Sequence, residues 1–226
     1  MISDIKVDDM SLITKAFIII EVLIFIFAIF IFDFNVSMRY FAILCCYTYC
    51  MFQAKSKDTS LMCIAFIFTL ISDLFLLVIN DYFEVGVLFF IIVQGLYFYR
   101  LIIVNKLKYN LIYLIVFVIL IFQIMFLILI KEYDLLVFLS IIYFTTLIFN
   151  VIISTKNYKI NIYFALGLVL FLCCDIFVGL GNIDLYVNLP NFINKIINLN
   201  FDFQWFFYIP SQVLIALSIN KNKHLY

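Results

Sequence analysis

TSLMCIAFIFTLISDLFLLVI, residues 59–79, carries a single charge, Asp73, in twenty-one positions. About 20 apolar residues cross ~30 Å of hydrocarbon as a helix, so this stretch is long enough to span a bilayer. Working outward from it, similar runs bounded by charge recur at about 13–32, 38–54, 84–104, 109–130, 135–154, 160–180 and 202–220. Of the 226 residues 68% are apolar and 12% charged, whereas a soluble domain carries about 25% charged residues. The expectation is an all-α polytopic membrane helix bundle of about eight transmembrane helices, forming a single transmembrane domain over residues 1–226.

The positive charges give the expected orientation, because loops rich in Lys and Arg resist translocation. Eleven of the fourteen fall in one alternating set of segments: Lys6, Lys15, Lys55, Lys57, Arg100, Lys106, Lys108, Lys156, Lys159, Lys221 and Lys223. The other set holds Arg39, Lys131 and Lys195. Both termini are therefore expected to be cytoplasmic, in the inner membrane of a bacterium or the endoplasmic reticulum of a eukaryote. The acidic start, with Asp4, Asp8 and Asp9, lacks the n-region of a signal peptide, so the first helix is expected to stay in the mature protein. The longest connection, about 181–201 with Pro190, falls on the outer side and reads as a cap or an interfacial segment.

Composition also excludes function classes. A formal net charge of zero with no basic stripe argues against a nucleic-acid partner. The six cysteines, at 45, 46, 50, 63, 173 and 174, lie inside apolar runs without a CxxC pair and read as small buried hydrophobes. The one histidine, His224, is near the end of the chain. No metal site and no cofactor are expected.

A carboxylate in hydrocarbon is costly, so an intramembrane Asp is expected to face the bundle interior and to mark a functional site. Asp73 lies in the third expected helix and Asp175 in the seventh, eight or nine residues before the outer-side acids Asp81 and Asp184. That places both carboxyls about 12–14 Å from the outer loops. Counted from the outer ends of their own helices, Gln94, Gln123, Tyr208 and Gln212 fall in the same layer. Packing glue between helices explains such residues equally simply. Glu21, only six residues from Lys15, is expected to snorkel to the interface, and Trp205 and the tyrosines near helix ends read as interface anchors. Residues 72–80, SDLFLLVIN, resemble residues 174–182, CDIFVGLGN. Four helices separate them, the arrangement of a 4+4 parallel repeat.

Two carboxyls sharing a dry cavity do not ionise together, which divides them into a proton donor and a base. Cleavage through an oxocarbenium ion suits such a pair, as in glycosidases. A vinyl ether hydrolyses through the same kind of ion, formed by protonation at the β-carbon and captured by water.

Several stretches are similar to a known family, the YhhN-like lysoplasmalogenases. Ala65 through Thr69 to Ser72-Asp73-Leu74 resembles its third-helix pattern, and Gly86 through Gln94 and Tyr97 its fourth. Gly167 through Phe171 to Cys174-Asp175 resembles its second Asp motif, and Phe207-Tyr208 through Gln212 to Ala216 its last helix, with one residue of drift. The sequence departs from the pattern where Ser72 stands for Gly, Cys174 for Ser and Gln94 for His. A Lys-Pro pair near the second helix is missing, Arg39 standing in its place. The resemblance implies a metal-independent hydrolase of the vinyl ether bond of lysoplasmalogens, with Asp73 and Asp175 catalytic. It also implies that Ser72, Gln94, Tyr97, Tyr208, Gln212 and Arg39 bind substrate, a lysophospholipid entering from the bilayer among the membrane lipids. Two other classes fit the same features. One is a lipid-binding family member without catalysis, given the missing His. The other is a small proton-coupled transporter, since paired intramembrane acids and parallel repeats also describe those.

Overall fold

A computed structural model describes residues 11–30, 35–53, 56–105, 110–129, 134–183 and 202–219. Eight helices and no strand occur among them: α1 (Leu12–Phe30), α2 (Asn35–Phe52), α3 (Lys57–Asp73), α4 (Phe83–Asn105), α5 (Asn110–Leu129), α6 (Leu135–Lys156), α7 (Ile162–Ile183) and α8 (Phe203–Leu217). All eight fall close to the bounds expected from the apolar runs. Five spans are long and apolar enough to cross a membrane, those of α1, of α3 with its continuation to Ile79, and of α4, α6 and α7, and shorter apolar stretches lie in α2, α5 and α8. The chain is a helical membrane protein. His224, Pro190 and most of the 181–201 connection lie outside the described residues, as do Lys6, Lys55, Lys106, Lys108, Lys131, Lys195, Lys221 and Lys223.

Local chemistry sets several helix ends. Ser56 and Thr59 form a capping box at the start of α3, each side chain accepting the other's backbone N–H. Asp134 Oδ1 accepts from Val137 N at 2.8 Å ahead of α6, and Asn161 Oδ1 from Phe164 N at 3.1 Å ahead of α7. Directly after Asp73 the third helix widens into a π-helical segment, Leu74–Ile79, which ends at Asn80 in the left-handed region with φ 53°. Asn tolerates that conformation better than most residues. In α8, Pro210 has no N–H to give the preceding turn.

Neighbouring contacts close α2, α3, α4, α6, α7 and α8 into a ring; α1 packs outside against α2 and α8, and α5 against α6. Two glycines permit close approach. A Cβ on Gly86 would meet Leu76 of the π segment at 2.6 Å, and one on Gly167 would meet Ile215 Cγ1 at 2.7 Å and Ser211 O at 3.0 Å. Gly167 therefore lets α7 and α8 pack backbone to backbone. The outer faces of α1 and α5 present Ile19, Leu23, Phe117 and Leu120, the surface a lipid environment accepts.

Two expectations about single residues change. Glu21 does not snorkel; it is only 2% exposed, because Thr14, Phe17, Glu21, Ile24 and Ala28 form the face of α1 that packs inward. Cys46 Sγ donates to its Oε1 at 3.6 Å, while Oε2 has no hydrogen-bond partner in the protein. Trp205 is not an interface anchor but a buried ring beneath Arg39. All six cysteines are free thiols; four are buried as expected, whereas Cys45 and Cys173 are half-buried.

Candidate active site

One end of the ring is closed by a buried ion pair. Arg100 Nε and Nη2 donate to the two oxygens of Asp58, each at 2.7 Å, and Nη1 donates to Ser218 Oγ at 2.7 Å. Asn161 Nδ2 donates to Ser218 O at 2.7 Å, and the guanidinium lies 4.6 Å from the Phe164 ring centroid. This network ties α3, α4, α7 and α8 together at one level. It gives a common origin for measuring depth.

Asp73 is fifteen residues beyond Asp58, and Asp175 fourteen beyond Asn161. At about 1.5 Å per residue both lie ~21–23 Å from the Arg100 network. Each accepts a hydrogen bond from a tyrosine on another helix of the ring. Tyr208 Oη donates to Asp73 Oδ2 at 2.7 Å, and Tyr143 Oη donates to Asp175 Oδ2. Edge-on and tilted ring contacts connect the two pairs: Tyr208 to Phe171 at 5.6 Å, Phe171 to Phe90 at 5.7 Å, and Phe90 to Tyr143 at 5.6 Å between centroids. The π segment begins at the residue after Asp73. Widened turns of this kind occur often at functional sites.

The other expected residues divide by depth. Ser72 is fully buried and donates to Gly86 O at 2.6 Å, so its hydroxyl fastens α3 to α4 beside Asp73. Gln94 lies eight residues past Gly86 and six short of Arg100, and Gln212 six short of Ser218. Both therefore sit in a second layer, about 9 Å from the Arg100 network and ~12 Å from the carboxyl layer. Asn150 joins them, its Nδ2 donating to Gln94 Oε1 at 2.9 Å and to Gln94 O at 3.0 Å. Tyr97, one turn along α4 from Gln94, is fully buried. Gln123 lies apart from both layers, donating to Phe138 O at 2.8 Å between α5 and α6. The single layer expected from loop distances is thus two layers, because the helix ends from which it was counted do not lie in one plane.

Arg39 marks the far end. It pairs with Asp202 ahead of α8, and its guanidinium lies 4.7 Å from the Trp205 centroid. Trp205 in turn meets Tyr208 edge-on at 5.3 Å. A chain of contacts thus runs from Arg39 to the hydroxyl that holds Asp73.

The sequence model of the YhhN family matches residues 34–219. The chain belongs to the YhhN family. No curated protein and no solved structure matches it. The match covers α2 to α8 and so every residue of both layers, whereas α1 with Glu21 lies outside it. In this YhhN protein, sequence reasoning did not single out Tyr143, Asn150 and Asp58, and it counted Arg100 as a loop charge although it is 2% exposed. Tyr143 and Asn150 occupy an apolar run in which seven residues, two turns of one face, separate them, and that spacing was the available signal. Among the described residues no group of three or more His, Cys, Asp or Glu side chains is arranged to hold a metal ion.

Proposed function

We propose that this YhhN protein hydrolyses the vinyl ether bond of lysoplasmalogen-type lipids, with Asp73 and Asp175 as its acid and base. The observation that carries this reading is the pair of carboxyls, each held by a tyrosine hydroxyl, on helices α3 and α7 at opposite positions of the ring. One carboxyl gives its proton to the β-carbon of the vinyl ether, leaving an oxocarbenium ion. Water adds to that carbon as the second carboxylate takes a proton from it. The hemiacetal then collapses: its hydroxyl proton returns to the first carboxyl, and the second protonates the departing glycerol oxygen. Fatty aldehyde and the glycerophospho alcohol result, and both carboxyls are reset.

The tyrosines act as positioning residues, each fixing one carboxyl with a single donated hydrogen bond. Phe90 and Phe171, both buried, line the way between the pairs with apolar surface suited to an alkenyl chain. The lipid enters from the bilayer between helices, with its phosphate toward Arg39. There the guanidinium has a planar donor edge for a phosphate, in competition with Asp202.

Incubating the purified protein with a lysoplasmalogen and quantifying fatty aldehyde tests the reading. Stoichiometric aldehyde and glycerophospho product are expected. Intact lipid after prolonged incubation, with binding retained, would favour a lipid-binding protein without catalysis.

A further inference from the structure

The second polar layer has more hydrogen-bonding capacity than the protein fills. Gln94 Nε2, Asn150 Oδ1, and both Nε2 and Oε1 of Gln212 are buried without a hydrogen-bond partner in the protein. Tyr97 Oη is likewise without a partner in hydrogen-bonding geometry, and its neighbour Thr69 donates instead to Ala65 O at 3.0 Å. Gln94, Tyr97, Asn150 and Gln212 are all at 0% exposure. Buried polar atoms are rarely left unsatisfied, and several such atoms facing a shared interior are the usual signature of internal water.

Direction supports the same conclusion. Side chains lean toward the N-terminus of their helix. Asp73 and Asp175 are on α3 and α7, whose N-termini lie at the Arg100 end, so they lean toward the second layer. Gln94, Tyr97, Asn150 and Gln212 are on α4, α6 and α8, whose N-termini lie at the opposite end, so they lean toward the carboxyls. The two sets converge on the space between the layers. Behind that space the Arg100 network has its donors committed. Lipid hydroxyls arriving with a headgroup at Arg39 would stay on the far side of the carboxyls.

We propose that Gln94, Asn150, Gln212 and the Tyr97 hydroxyl bind water between the two layers, and that this water is the nucleophile of the hydrolysis. The first half stands on the geometry alone; the second rests on the function proposed above. In the step itself a lone pair of the held water forms the new bond to the oxocarbenium carbon. One of its protons passes to the carboxylate base, and the product is a neutral hemiacetal. The carboxamides are positioning residues, orienting the water through groups that both donate and accept.

X-ray radiolysis of the full chain in lipid nanodiscs, read by mass spectrometry, tests the water site without reference to activity. Hydroxyl radicals born from internal water oxidise adjacent side chains. Tyr97 should gain oxygen at least tenfold faster than Phe66, which is equally buried but in apolar surroundings. In Gln212→Leu and in Asn150→Leu, Tyr97 should fall toward the Phe66 rate. A variant that fails to fold would instead raise Phe66, and the wild-type comparison then decides. Tyr97 oxidised no faster than Phe66 in the wild type overturns the site.

Turnover of lysoplasmalogen in water–methanol mixtures tests the nucleophile, since methanol capture of the cation gives a stable mixed acetal in place of aldehyde. Gln212→Leu should raise the acetal fraction severalfold over wild type. An unchanged fraction overturns the nucleophile role. Failure of the wild type to release aldehyde overturns that role together with the hydrolase reading, and the Tyr97 result separates the water site from both.

Discussion

At the scale of single residues, the two tyrosine–aspartate pairs carry the account. Tyr208 donates to Asp73 and Tyr143 to Asp175. A hydrogen bond to a charged group is worth about 1.5–3 kcal/mol. Tyr208→Phe and Tyr143→Phe should therefore each slow aldehyde release roughly 10- to 100-fold while the fold persists. Adding Tyr208→Phe to Asp73→Asn should cost little more, because the tyrosine acts through that carboxyl. Steady-state rates of the singles and the double check this, and independent, multiplying effects would separate the tyrosine from the aspartate. Arg39 has a different role. Arg39→Ala should raise KM about tenfold or more with kcat nearly unchanged, the mark of uniform binding. A fall in kcat alone would move Arg39 from the headgroup to the chemistry.

At the scale of helices, the buried Arg100–Asp58 pair holds four elements in register. Removing one member of a buried pair costs about 3–5 kcal/mol, whereas replacing both with apolar groups costs much less. Arg100→Met should therefore lower the thermal midpoint sharply, and the double variant with Asp58→Leu should recover much of the loss. A double variant as unstable as the sum of its singles would contradict this. Helix positions were legible in the sequence because bilayer length and flanking charge leave little choice, and α1 to α8 fall where the apolar runs lie. The π segment after Asp73 was not, since Leu74–Ile79 reads like any other apolar turn. Nor was the burial of Glu21 or Arg100. Within snorkelling reach of the interface, a charged residue facing lipid headgroups and one facing a partner helix have the same sequence signature. Asp73 and Asp175 were legible as a pair, whereas the split between their layer and that of Gln94 and Gln212 depends on how the helices are staggered.

At the scale of the molecule, the ring has unlike ends: among the described residues, the Arg100 network lies at one and the bridge from Arg39 to Asp202 at the other. With eleven of fourteen positive charges on the Arg100 side of the alternation, that end is proposed to face the cytoplasm. Reporter fusions after Lys57, Lys108 and Lys159 should read cytoplasmic, and fusions after Asp81, Asp134 and Pro190 should read external; the reverse pattern would invert the proposed orientation. The central claim is that Asp73 and Asp175, brought to one depth by helices on opposite sides of the interior, act as one acid/base unit. The most direct measurement is aldehyde release from lysoplasmalogen by Asp73→Asn, Asp175→Asn and the double variant, each with its fold verified. Each single should lose at least about 100-fold in rate and the double should be little worse than either. Near-native turnover in either single variant would contradict the claim and return that aspartate to a packing role.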